Sequence, residues 1–391
     1  MLLSGVNLEA VRAALIELGL DGWLLFDFRG INPIPTRLLG NIGFSSRRLF
    51  IYIPKQGAPT ALVHKIELGP FQGDAFPGKV LTYARWQELH AGLTSLVQGK
   101  KVGMEISPED GVPYLDRVPY GVVELVRKLG GTVVPSAALV TRFASAWSAE
   151  ELADHMYAAE ALATVANEAL RWAVTQGGTG LNESQLQQKV VDAIHAKGLE
   201  FDHPPIVGFG PNAANPHYEP VPGKDLKLEK NQVVLLDLWG GRRLGTVFAD
   251  QTWMGFSGTS IPAKVQEVWT TVRDARDAAI AVVKKKAGRE PLRGFEGDQA
   301  ARGVIERAGY GEFFVHRTGH SIDRDLHGSG PHLDSYETHD DRELQPGSGF
   351  SVEPGIYLPG EFGVRSEINM VWAPEGARVT PAAPQIALVT P

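Results

Sequence analysis

Cysteine is absent from all 391 residues. Disulfides, thiolate nucleophiles and cysteine-held zinc are thereby excluded. Positive charge is also scarce: 38 Lys and Arg stand against 45 Asp and Glu, a formal net charge of −7 with no strongly basic stripe. That argues against nucleic acid as the main partner. No apolar run is long enough to span a bilayer. Met1-Leu-Leu-Ser-Gly5 lacks the charged region and apolar run of a secretory leader. The expectation is a cytoplasmic protein without a membrane partner. Low-complexity tracts, short-period repeats and Gly/Ser linkers are missing too. The basic run Lys284-Lys285-Lys286 falls at the end of a helical pattern, where it complements the helix dipole as a solvated end.

What remains is a chain of ordinary apolar content, long enough for two or three domains with a sizeable core. Its first part alternates helix and strand signals. Asn7 is placed to cap a helix ending near Gly19. Gly22–Phe26, Leu49–Ile53, Ala61–Val63 and Val102–Ile106 read as strands, with helices near 86–97 and 122–129 between them. Residues 1–144 are thus expected to form a small α/β domain. A second domain, 145–391, opens on the capping box Ser148-Ala-Glu-Glu151 and a long amphipathic helix, stopped by Gly177-Gly178. Further helices are expected at 183–197, 262–287 and 298–308. Strands are expected at Val233–Trp239, Thr246–Trp253, Gly349–Glu353 and Val364–Trp372, largely joined as hairpins.

Four acids sit where apolar strands should not carry them. Asp237 interrupts Val-Val-Leu-Leu-Asp-Leu-Trp and Asp250 interrupts Val-Phe-Ala-Asp-Gln-Thr-Trp, with Gly240-Gly241 and Gly245 available as a turn. Paired as a hairpin, the two strands can turn both carboxylates to one side. Glu353 and Glu367 repeat the arrangement around Pro359-Gly360. Singly, an aspartate at a strand end is an ordinary turn or cap residue. Together, four buried carboxylates repel one another unless cations neutralise them, and two divalent ions would match them in charge. An oxygen-rich set with one imidazole suits manganese, cobalt or zinc. Such ions acidify water into a nucleophile at neutral pH. Six histidines (His203, His217, His316, His320, His327 and His332) fall between residues 200 and 335. Two segments look specialised: the polar, Pro-rich stretch from Gly210 to Pro220, and His316-Arg-Thr-Gly-His320 followed by His327. Gly319 beside His320 permits a close backbone approach.

In this order the motifs resemble the pita-bread metallopeptidases, a family that includes methionine aminopeptidase, aminopeptidase P and prolidase. The resemblance runs from about residue 145 to the end. It implies an α+β protein whose C-terminal domain has the pita-bread (creatinase/aminopeptidase) fold. Asp237, Asp250, His320, Glu353 and Glu367 are then the ligands of two divalent metal ions, with Asp250 and Glu367 bridging. His217 and His327 are implied as catalytic histidines, Glu353 as proton shuttle as well as ligand, and Arg365 as the donor that orients ligand carboxylates. Gly43-Phe-Ser-Ser-Arg-Arg48, before a strand and Lys55-Gln-Gly, looks like the N-terminal α/β domain of the creatinase, aminopeptidase P and prolidase branch. The chain departs from the pattern at Ser321 and Asp323, where the family carries glycines, and at Ile368, where it carries an acid. The Asp237-to-Asp250 spacing is also longer than usual, and the extra residues are assigned to the hairpin turn, where insertions are tolerated.

The activity implied is hydrolysis of the peptide bond preceding proline, near the substrate N-terminus, by a homodimer. The segment Asp27-Phe-Arg-Gly-Ile-Asn-Pro-Ile-Pro-Thr-Arg37 reads either as a surface loop or as a lid reaching the site, its own or a partner subunit's, whose Arg29 or Arg37 would then pair with a free C-terminal carboxylate. That favours Xaa-Pro dipeptides. His316 is a further candidate for substrate contact. The alternatives are an aminopeptidase P acting on longer peptides, a hydrolase of another C–N-bonded metabolite, and a non-catalytic binding protein on the same fold.

Overall fold

Asn7 accepts a hydrogen bond from the backbone N–H of Ala10 and so starts the first helix of the protein, seen here in a computed structural model that describes residues 1–43, 45–373 and 375–391. Phe44, part of the Gly43-to-Arg48 motif, lies outside the described residues. The chain divides into two compact units, Met1–Ala144 and Ser145–Pro391.

In the first unit the elements run α1 (Leu8–Glu17), β1 (Gly22–Phe28), α2 (Pro33–Leu39), β2 (Arg48–Pro54), β3 (Thr60–His64), β4 (Lys79–Tyr83), α3 (Trp86–Val97), β5 (Lys101–Met104), α4 (Tyr120–Lys128), β6 (Thr132–Pro135) and α5 (Ala137–Phe143). The strands form one mixed sheet in the order β4-β3-β2-β1-β5-β6. Side chains alternate across it. Trp23, Leu25, Ile51 and Ile53 enter one apolar cluster, whereas Leu24, Phe26, Phe50 and Tyr52 enter another. Both faces are covered, so the central strands are continuously apolar.

The segment from Asp27 to Arg37 is not a loop throughout. Asp27 accepts from Gly30 N and Asn32 N, at 2.9 and 3.1 Å, closing a tight turn. Asn32 then caps α2 through Ile34 N. Pro33 and Pro35 fall in the first turn of that helix, where a missing N–H costs nothing. The expected strand 102–106 ends at Met104. Glu105 beyond it is buried and accepts from Trp23 Nε1, Asn32 Nδ2 and Ser136 Oγ.

The second unit contains α6 (Ala149–Val174), α7 (Glu183–Ala196), β7 (Ile206–Phe209), β8 (Val233–Gly240), β9 (Ala249–Phe256), α8 (Ala263–Lys286), α9 (Gly294–Arg307), β10 (Ser321–Ile322), β11 (Gly349–Val352), β12 (Gly355–Leu358), β13 (Phe362–Arg365), β14 (Ile368–Ala373) and β15 (Gly376–Thr380). The Ser148/Glu151 capping box starts α6, which ends three residues before Gly177. The helix expected from 298 begins a turn earlier, because Glu296 accepts from Arg293 N. The strand expected from Thr246 begins at Ala249.

Among the described residues three sheets result: β7-β8-β9, β10-β11-β14-β15, and the pair β12-β13. On the β8/β9 hairpin, Val234, Leu236, Leu238 and Trp253 join the cluster with α6 and α7. Val233, Leu235, Met254 and Phe256 join the cluster with α8. Asp237 and Asp250 continue that second face to its polar end. The stretch 364–372, expected as one strand, is broken. Arg365 ends β13 and Ile368 begins β14, which belongs to a different sheet. Ser366 N donates to Pro354 O and Glu367 N to Thr252 O, so backbone bonds to other segments hold the break. Among the described residues no helix is long and apolar enough to cross a membrane.

Candidate metal and active site

Two strand pairs bring the acids together. In β8/β9, Asp237 lies opposite Thr252 and Trp239 opposite Asp250. Asp237 and Asp250 are therefore diagonal neighbours on one face. In β11/β14, Val352 lies opposite Ile368, so Glu353 and Glu367 flank the point where both strands break. His320 precedes β10, and its backbone N donates to Ser351 Oγ at 2.9 Å. A Cβ on Gly319 would sit 2.0 Å from Ser351 O, so only glycine lets the His320 segment lie this close to β11.

Ligand atoms of Asp250, His320 and Glu367 lie within 4.8 Å of one another, and all three residues are buried. His320 Nε2 is 3.3 Å from Asp250 Oδ2 and 3.3 Å from Glu353 Oε1. Its Nδ1 lies 3.1 Å from Ser321 O, a bond that directs Nε2 to the carboxylates. Asp237 is tied in through Arg365, whose Nη2 donates to Asp237 Oδ2 at 2.5 Å. Arg365 Nε donates to Thr252 Oγ1 at 2.8 Å. That hydroxyl is 2.8 Å from Glu367 Oε2 and 3.1 Å from Asp237 Oδ1, so Thr252 links both hairpins.

All five expected ligands thus occupy one place. Burial pushes the Asp237 carboxyl up to about 7, opposed by Arg365 and reinforced by Asp250 and Glu353. Burial likewise raises Asp250. Burial, then the charges of Asp250, Glu353 and Asp237, hold Glu367 well above the usual carboxylate range. Burial would also raise Glu353, but His320, Arg365 and His316 draw it down to about 2. The donor set fits divalent cations: among the described residues Glu367 Oε1 is buried without a hydrogen-bond partner, beside Asp237 and Asp250, whose carboxyls burial raises.

One consequence is measurable in the metal-free protein. A carboxyl raised in the folded state binds its proton more tightly there than when unfolded. Its stabilising effect is complete below the unfolded value of about 4 and is lost as pH rises through the folded one. With Asp237 at about 7, the melting temperature of the metal-free protein should fall between about pH 4 and pH 7. Saturation with divalent metal should flatten that slope. Calorimetry across the window checks both, and a metal-free protein of pH-independent stability would contradict the reading.

The histidines surround the cluster. The ring of His327 lies 4.1 Å from that of His320, centre to centre. The His320 charge, with burial second, lowers His327 to about 3. Solvent reaches His327, so the neighbouring charge is the cause that matters here. His316 Nε2 is 2.8 Å from Tyr357 Oη, and Arg365 Nη1 reaches the same hydroxyl at 3.4 Å. His217 is exposed, and Arg365 Nη1 reaches the carbonyl of the preceding Pro216 at 3.4 Å. Buried Glu183 ties the 209–226 stretch in place by accepting from Phe209 N, Asn212 Nδ2, Tyr218 Oη and Leu226 N. Arg29 and Arg37 belong to the first unit. Arg29 is exposed at a left-handed φ of 61°, and Arg37 is half-buried in the last turn of α2.

Thr252, Tyr357 and Ser351 are not among the expected site residues. Thr252 stands two residues from Asp250 on β9 and Ser351 two residues before Glu353, a faint signal, whereas Tyr357 sits on β12, which carries no expected ligand. Ser351 Oγ donates to Glu353 Oε1 at 3.0 Å.

The model of metallopeptidase family M24 matches residues 154–373. The chain is 26% identical to a probable dipeptidase PepE of Mycobacterium tuberculosis over 358 residues, 90% of this chain and 89% of that one. It is 34% identical to an Xaa-Pro dipeptidase of Lactobacillus helveticus over 200 residues, 51% of this chain and 49% of the relative. Among solved structures, dipeptidase PepE from Mycobacterium ulcerans superposes with a TM-score of 0.75 at 25% identity, covering 98% of this chain and 96% of that one. A prolidase from Thermococcus sibiricus superposes at 0.68 with 24% identity, covering 98% of each chain, a likeness of fold. The second unit is a pita-bread fold.

Proposed function

The chain belongs to metallopeptidase family M24, and from that membership and the geometry above we propose that it hydrolyses the bond preceding proline in Xaa-Pro dipeptides. The observation carrying this reading is the convergence of Asp237, Asp250, His320, Glu353 and Glu367, with one buried carboxylate oxygen unpartnered among the described residues. The 34% identity to an Xaa-Pro dipeptidase and the near full-length likeness to a probable dipeptidase support the substrate class.

When bound, two divalent cations acidify water and polarise the scissile carbonyl. Glu353 takes up the proton of the attacking water and delivers it to the proline nitrogen as the bond breaks. His327 donates a ring N–H to the oxygen on which charge develops, and His217 assists from the 209–226 stretch. Arg365 and Thr252 orient Asp237 and Glu367. The dipeptide reading further assigns the free substrate carboxylate to a cation, Arg29 or Arg37. A homodimer and a cytoplasmic location belong to the same proposal.

Metal-reconstituted protein assayed on Xaa-Pro dipeptides, Xaa-Pro tripeptides and matched peptides without proline tests the substrate class. The reading expects kcat/KM to be highest for Xaa-Pro dipeptides, with Arg29→Ala or Arg37→Ala raising KM for dipeptides more than for tripeptides. A strong preference for tripeptides would instead favour the aminopeptidase P alternative. Indifference to proline would remove both.

A further inference from the structure

Among the described residues the ring of His327 makes no hydrogen bond, and its ring contact is the 4.1 Å approach to His320. Its position is therefore set by the backbone of the loop that carries it. That loop is closed by one carboxylate. Asp323 is buried; its Oδ1 accepts from Asp325 N at 2.9 Å and its Oδ2 from Ser329 N at 2.8 Å, on either side of His327. Gly328 N donates to Ser321 O at 2.7 Å, fastening the same loop to the residue after His320. A Cβ on Gly328 would fall 2.8 Å from Cγ and Oδ2 of Asp323, so the carboxylate packs directly against the backbone next to His327. Downstream, Arg342 donates to Ser329 O and Gly330 O, at 2.7 Å each, and is held by Asp340.

A glycine at position 323 would have no side chain with which to make this tie. Two charge-assisted bonds to backbone N–H groups are strong and directional. We propose that Asp323 is a positioning residue that holds His327 against the metal cluster, an inference that rests on the catalytic reading of His327. The residue touches no reacting atom. Its effect on turnover passes through the imidazole, and misplacing a catalytic group by about 1 Å costs on the order of 100-fold in rate.

The test is a double-mutant cycle of Asp323→Asn and His327→Ala in the metal-loaded, full-length protein, read as kcat and KM on Ala-Pro, with bound metal and melting temperature measured for each variant. An Asn at 323 keeps the volume but turns its amide toward one of the two N–H groups. D323N alone should lower kcat by roughly 10- to 100-fold with metal content unchanged. In the H327A background it should add less than about twofold, because the residues act as a unit. Should D323N not fold, Gly328→Ala presses on the same carboxylate and is read in the same cycle. Equal losses from D323N in both backgrounds, or a loss that follows metal content, would overturn the proposal while leaving His327 catalytic. Wild-type kcat in H327A would instead overturn the reading of His327, and the proposal with it.

Discussion

Replacing Glu353 with Gln should lower kcat by about three orders of magnitude, within the range for loss of a general base. The residue stands just beyond β11, its Oε1 3.3 Å from His320 Nε2 and accepting from Ser351 Oγ at 3.0 Å. Gln keeps the volume and one oxygen, so the strand break and the neighbouring contacts should persist. What disappears is the carboxylate, the only form able to accept a proton from water. KM should change little, because the proton is moved in the transition state and not on binding. Near-wild-type kcat in a folded, metal-loaded E353Q protein would remove Glu353 from the chemistry.

Asp250→Asn should weaken metal binding and turnover together. Asp250 lies within ligand distance of both His320 and Glu367, and its backbone N donates to Asn369 Oδ1 at 2.9 Å. Losing its charge weakens binding of both ions if it bridges them, and kcat should fall by about four orders of magnitude or more, comparable to removal of a catalytic unit. In the metal-free protein two effects oppose each other: the substitution removes repulsion with Glu367 and also the 3.3 Å contact with His320. D250N is therefore expected to gain less in melting temperature than wild type on metal loading. Equal metal affinity in the two proteins would contradict the bridging role.

The ligands were legible in the sequence because burying charge is costly. An Asp or Glu inside an apolar strand calls for a partner, and the order Asp237, Asp250, His320, Glu353, Glu367 carried the resemblance. Helices with local stop and start signals were legible for a similar reason. Ser148 and Glu151 start α6 through bonds three residues apart. The edge strands β4 and β6 were not, since neither presents a continuous apolar run. The helix α2 was obscured by Pro33 and Pro35, which elsewhere mark loops and here occupy a first turn. The break at Ser366-Glu367 was hidden because its cause is remote: Pro354 O and Thr252 O take the two N–H groups. Thr252 and Tyr357 were missed on the same ground. A hydroxyl in a strand acquires its meaning only when Arg365 or His316 arrives from another segment.

The most direct measurement is a titration of chelator-stripped protein with Mn, Co or Zn, following bound metal per chain by elemental analysis and hydrolysis of Ala-Pro in the same samples. Two ions per chain, with activity restored as the second binds, are predicted. Full activity without bound metal, or saturation at one ion with the rate already maximal, would contradict a two-metal peptidase site built from Asp237, Asp250, His320, Glu353 and Glu367.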